Sequence, residues 1–189
     1  MNELTSFLDA QGFTKAAKIE TLKVTLSPVK HEDTNVDIPS PDKRYYWDGK
    51  AFGLHISSIE LKANEWIQLI DLLEINSDFV QILSIVNTNL EGFYPNLLPN
   101  LTFVNLSQNK KLNHINLANC SQLTTFKASH CPKLTQVELN GKFEQLNNID
   151  ISFCGELAKL RLPNTLNSLR FLNVSNGNLN ELRIPKQAQ

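Results

Sequence analysis

Three cysteines in 189 residues are too few, and too odd in number, for a disulfide framework. Charge of one sign is also missing: 18 Lys+Arg stand against 19 Asp+Glu, a formal net charge of -1. Such a balance offers no general attraction to nucleic acid or to an anionic membrane, so neither is expected as a partner. No apolar run approaches the ~18 residues of a membrane-crossing helix. The opening MNELTSFLDA has neither the basic nor the apolar stretch of a signal peptide. A cytoplasmic location is the default expectation, with a secreted effector lacking such a peptide as the alternative. No glycine-rich phosphate loop and no histidine spacing suited to a metal is present, so no cofactor is expected. What the chain has instead is 29 Leu and 22 Asn, within a 41% hydrophobic composition that can build a core.

The leucines keep time. An LxxLxL frame, read at its positions 1, 4 and 6, gives Ile56, Ile59, Leu61, then Val80, Leu83, Ile85, then Leu101, Val104, Leu106. It goes on through Leu123, Phe126, Ala128, then Leu146, Ile149, Ile151, then Leu169, Leu172, Val174. Successive starts are 24, 21, 22, 23 and 23 residues apart. Between them runs a weaker set: Leu112, Ile115, Leu117; Leu134, Val137, Leu139; Leu157, Leu160, Leu162; and Leu179, Leu182, Ile184. Two short apolar segments per period describe a flattened coil with a strand on each long side. Positions 4 and 6 turn inward and 3 and 5 outward, and strands of successive coils stack at roughly 4.8 Å. One coil cannot bury its own apolar face, but a stack can.

The asparagines fall into the same frame. Position 9 reads Asn64, Thr88, Asn109, Cys131, Cys154 and Gly177, with Cys120 at the matching place of the weaker set. After each strand the chain turns, and a small polar side chain there can satisfy backbone groups whose loss would cost ~1–3 kcal/mol apiece. Asn64, Asn109, Cys120, Cys131 and Cys154 are therefore expected to form a buried structural ladder.

The strings LTFVNLSQNKKL, LNHINLANCSQL, LTTFKASHCPKL and LNNIDISFCGEL resemble the leucine-rich-repeat signature, L-x-x-L-x-L-x-x-N/C-x-L, over roughly residues 56–184. Several copies place two residues rather than one between Asn/Cys and the next Leu. The convex segments are strand-like and Pro-bearing, as in RLPNTL and RIPK, which is similar to short bacterial repeats. The resemblance implies an α/β repeat fold: a right-handed, curved solenoid with a parallel concave β-sheet and a mostly strand or irregular convex side. It also implies a macromolecular partner on the concave face. Only NEWIQLIDLLEINSDF in the first coil looks helical, with Trp66, Leu69, Ile70 and Leu73 at i, i+3, i+4 and i+7.

Residues 1–55 read as an N-terminal α+β capping region and 56–189 as a solenoid of about six coils. Within the former, Leu4, Phe7 and Leu8 suggest a short helix, IETLKVTL (19–26) alternates like a strand, and KHEDTNVDIPSPDK is loop-like. RYYWDGKAF carries an Asp48-Gly49 turn between aromatic flanks, a hairpin pattern. After Ile184 little remains to cover the last coil, so self-association through it is one expectation.

Catalytic constellations fail on geometry. His130 and Cys131 are adjacent, but the frame sends one outward and the other inward, against the pairing a thiol nucleophile needs. Asn100-Leu-Thr, Asn105-Leu-Ser, Asn119-Cys-Ser and Asn173-Val-Ser match the glycosylation acceptor, yet they arise from the repeat itself. No enzyme is expected. The outward concave positions carry Ile82, Phe103, Asn105, Lys127, His130, Asp150, Phe153, Phe171 and Asn173. Exposed aromatics are the anchors that interfaces favour, and they make this face the candidate site for a protein partner. The competing structural account is that a cap or flanking loop covers some of them. A sensor segment of a larger signalling protein, or an effector binding host proteins, would use the same face.

Overall fold

A computed structural model describes residues 45–47, 51–58, 60–75, 77–95, 97–163 and 165–184. Side chains are described from residue 51 onward, apart from those of residues 65, 68, 72 and 75 within the helix. The expected helix at 4–8, the strand at 19–26, the loop at 30–43 and the Asp48-Gly49 turn lie outside these residues. No helix among them is long and apolar enough to cross a membrane.

The chain winds as a parallel β-solenoid of about five turns, one fewer than the count of frames in the sequence. Strand β1 (Tyr45–Trp47) pairs antiparallel with β2 (Phe52–Ser57). From there the sheet is parallel, in the order β2, β3 (Val80–Val86), β5 (Phe103–Asn105), β7 (Thr125–Lys127), β9 (Asn148–Asp150) and β11 (Phe171–Asn173). The opposite side carries β4 (Gly92–Phe93), β6 (His114–Asn116) and β8 (Gln136–Glu138) as one sheet. It also carries β10 (Lys159–Arg161) paired with β12 (Glu181–Arg183).

Register joins each frame position to its counterpart one turn away. Leu83, Val104, Phe126, Ile149 and Leu172 form one such row, and Ile82, Phe103, Thr125, Asn148 and Phe171 another. The first row faces Ile115, Val137 and Leu160 of the opposite strands, and all of these except Leu172 are buried. Each buried Leu, Ile or Phe contributes about 1.5–3 kcal/mol relative to exposure. Threonines at position 2 add an axial stitch: Thr102 Oγ1 donates to Gln81 O (3.0 Å) and Thr124 Oγ1 to Thr102 O (2.9 Å).

The first frame sits earlier than the sequence reading placed it. Leu54 pairs with Leu83 and Ile56 with Ile85, so these two hold positions 4 and 6, and Ser58 holds position 8. The return segment then includes helix α1 (Ala63–Ile75), which makes the step from Ser58 to Asn87 29 residues long. Trp66, Leu69 and Leu73 face the core, and Ile70 packs against it. Asn89 clamps the helix entrance: its Oδ1 accepts from Leu61 N (3.0 Å) and Trp66 Nε1 (3.1 Å), and its Nδ2 donates to Leu61 O (2.8 Å). Asn64 consequently lies exposed in the first turn of α1 and is not a member of the ladder.

Candidate functional site

The turn after each strand of the seven-stranded sheet is built from three devices, and they sort the expected site residues. The first is the position-9 column. Asn109, wholly buried, accepts at Oδ1 from Thr88 N (2.8 Å) and Thr88 Oγ1 (2.7 Å). Its Nδ2 donates to Ile85 O (2.7 Å) one turn back and to Leu106 O (2.8 Å). Cys131 and Cys154 stand in for it with thiols that donate to Leu106 O (3.3 Å) and Ala128 O (3.1 Å), again one turn back. Cys120 is buried on the other side of the coil. Burial pushes the Cys120 and Cys131 thiols up to about 12 and Cys154 up to about 11. They are neutral hydrogen-bonding groups, inert as nucleophiles.

The second device lies at position 5. Asn105 Oδ1 accepts from Ser107 N (3.0 Å). Asp150 Oδ1 accepts from Ser152 N (3.1 Å) and Ser152 Oγ (2.7 Å), and Asn173 Oδ1 does the same from Ser175 N (3.1 Å) and Oγ (2.7 Å). These are Asx turns, in which the side chain holds its own backbone two residues on. Lys127 cannot do this, and Ser107 Oγ takes over the Ser129 N–H (3.2 Å). So Asn105, Asp150 and Asn173 spend an oxygen on shaping the turn. Sequence reasoning missed this, although the Asn-x-Ser strings carried the signal. His55 Nδ1 lies 2.8 Å from Ser84 Oγ, but Ser84 is buried and its hydroxyl is closed to a substrate.

The third device is conformational. Ser58, Asn87, Gln108, His130, Phe153 and Asn176, all at position 8, have φ between 53° and 65°. The left-handed region costs an L-residue about 1–2 kcal/mol; Asn and His are enriched there, whereas a bulky side chain such as Phe is an outlier. Two adjacent turns nonetheless place an imidazole and a phenyl ring there. The rings stack at 4.3 Å with 17° between planes, which returns about 0.5–1.5 kcal/mol. His130 is exposed, and Phe153 keeps 45% of its surface in solvent.

Position 3 divides along the solenoid. Ile82 and Phe103, expected to be exposed, retain only 8% accessibility. Each is packed between in-register neighbours, and Lys127 Nζ lies 6.0 Å from the centre of the Phe103 ring. Phe171, on the last strand, borders only Asn148 among the described strands and is 49% exposed. Beside it Asn148 Oδ1 is buried with no hydrogen-bond partner. Phe171 stands at position 3, where its strand begins, and the His130–Phe153 pair at position 8, in the turn beyond the strands.

No group of three or more metal-ligating side chains occurs among the described residues. No protein-family model, curated protein or solved structure matches the chain.

Proposed function

We propose that this chain is a leucine-rich-repeat interaction module that binds a protein partner through the concave face and its margin, in the cytoplasm and without a cofactor. The stacked His130–Phe153 pair carries this reading. A fold that needs only a turn at position 8 is served by Asn, as at Asn87 and Asn176; two exposed aromatic rings serve something outside the fold. Phe171 at position 3 supplies a second anchor. Aromatic anchors commonly cost more than ~2 kcal/mol of binding when truncated.

The test is capture of the native partner by Phe153→Ser with Phe171→Ser, using circular dichroism as the folding control. This pair should keep the fold and lose the partner, whereas Lys159→Ser and Asn113→Ser on the other side should retain it. Loss of capture only in the latter two would move the site to the other sheet. A second reading, self-association through the last turn, is favoured by Leu182 (38% exposed) and Ile184 (40%). Light scattering that shows a monomer across concentrations would remove it.

A further inference from the structure

The turns that present His130 and Phe153 also carry an uneven charge. In the third coil Lys110 and Lys111 are exposed between the buried Asn109 and Leu112, and in the fourth Lys133 follows His130, Cys131 and Pro132. The fifth ends the run with Gly155 and Glu156, and Glu156 N donates to Pro132 O (3.2 Å), which fixes one turn against the next. Lys110, Lys111 and Lys133 form no ion pair among the described residues. At the opposite edge of the coils the exposed Lys142 and Glu144 offset each other. A chain with a net charge of -1 thus concentrates three unpaired lysines on one margin, next to two strained and exposed rings.

We propose that the margin formed by residues 108–111, 130–133 and 153–156 is a docking site for an extended, acidic protein segment bearing an aromatic side chain. This rests on the interaction-module reading and specifies the chemistry of the partner. Carboxylates meet Lys110, Lys111 and Lys133 over the third and fourth coils, while the aromatic side chain stacks against Phe153 over the fifth. Charge fixes the direction, because Glu156 repels the acidic end and leaves the ring to receive the other. Stacked coils are ~4.8 Å apart and alternate side chains of an extended segment ~6.8 Å apart, a mismatch that flexible lysine stems absorb. Single-stranded nucleic acid also uses cations and rings, but it needs a basic track along its whole path. Here Asp150 and Glu156 interrupt any such track.

The probe is a synthetic peptide with a run of Glu and Asp followed by one Trp, titrated by fluorescence anisotropy into the full chain. Its controls are a Lys-for-acid counterpart and a single-stranded oligonucleotide. The acidic peptide should bind saturably and weaken as salt rises, and the counterpart should not bind. Lys111→Glu with Lys133→Glu should weaken binding about tenfold or more. Phe153→Asn should weaken it about as much while the denaturant midpoint stays level or rises, because Asn suits the left-handed backbone. Equal affinity in the lysine variants, equal affinity for the Lys-bearing peptide, or preference for the oligonucleotide overturns the proposal. So does the absence of binding to the unaltered chain. Capture of the native partner by the Phe153/Phe171 variant judges the broader reading separately.

Discussion

The middle turns and the last turn are written in one frame and end in different states. Val104, Phe126 and Ile149 are fully buried, whereas Leu172, in the same row, is only partly so. Leu160 is buried and its partner Leu182 is not. The side chains are of one kind, and what changes is the number of flanking coils among the described residues. In a stacked fold each apolar row is completed by its neighbours, so burial belongs to the interface between turns rather than to the turn.

The sharpest way to break that comparison is truncation of one row at two places. Ile149→Ala should cost about 2–5 kcal/mol, and Leu172→Ala about 1 kcal/mol, because its cavity is already open to solvent. Equal shifts in urea midpoint would mean that the last turn is as well supported as the rest.

Next in size is the axial column. Asn109→Ala removes partners from the Thr88 N–H and from two carbonyls at once, and should cost about 1–3 kcal/mol. Exposed Asn113→Ala should stay within about 0.5 kcal/mol. Matching midpoints for these two would remove the column from the account of stability.

The thiols give the middle turns a pH dependence that the last one lacks. In the unfolded chain a thiol ionises near its ordinary 9.0, but in the fold Cys120 and Cys131 hold their protons to about 12 and Cys154 to about 11. Below pH 9 both states are protonated and stability is whole. Above it only the unfolded chain releases protons, so stability falls as pH rises, by about 1.4 kcal/mol per pH unit for each thiol, until the folded values are reached. Denaturation between pH 8 and 11 should show this slope, and Cys131→Ala should flatten it by one thiol's share. An unchanged slope in that variant would place the cause elsewhere.

The smallest effect repairs the terminal turn. Gly177 is the last position-9 residue among the described coils, and a side chain there would meet Cys154 O and Val174 O at ordinary contact distances of 3.4 and 3.5 Å. Gly177→Asn should add a donor toward the preceding turn and raise stability by about 1 kcal/mol. Greater amide protection in β11 and β12 would register the gain; a loss would show that the glycine answers a need of the backbone.

Much of this architecture was legible in the chain. The starts at 80, 101, 123, 146 and 169 mark β3, β5, β7, β9 and β11 because an in-out alternation is imposed by the pleat itself. The first frame slipped because Ile56, Ile59 and Leu61 imitate the pattern of Leu54 and Ile56, and an inserted helix removes the spacing that would choose between them. The site was less legible. Exposure at position 3 depends on cross-strand neighbours, so Phe103 and Phe171, alike in the frame, part company in the fold. Nor does the left-handed backbone at Phe153 announce itself, since a bulky ring is not what such a conformation selects, whereas His130 is of a type enriched there.

Because the strand pairs from β3 to β11 join like to like, a coil is a unit of length. Excising residues 123–145 would bring β5 against β9, with Phe103 beside Asn148, Val104 beside Ile149 and Asn105 beside Asp150. The molecule would shorten by ~4.8 Å, and the hydrogen-bond column would pass from Asn109 to Cys154 with its polarity intact. What the excision removes is one half of the ring pair. Growth and trimming by whole periods therefore rewrite the margin that meets the outside world while the interior stays grammatical.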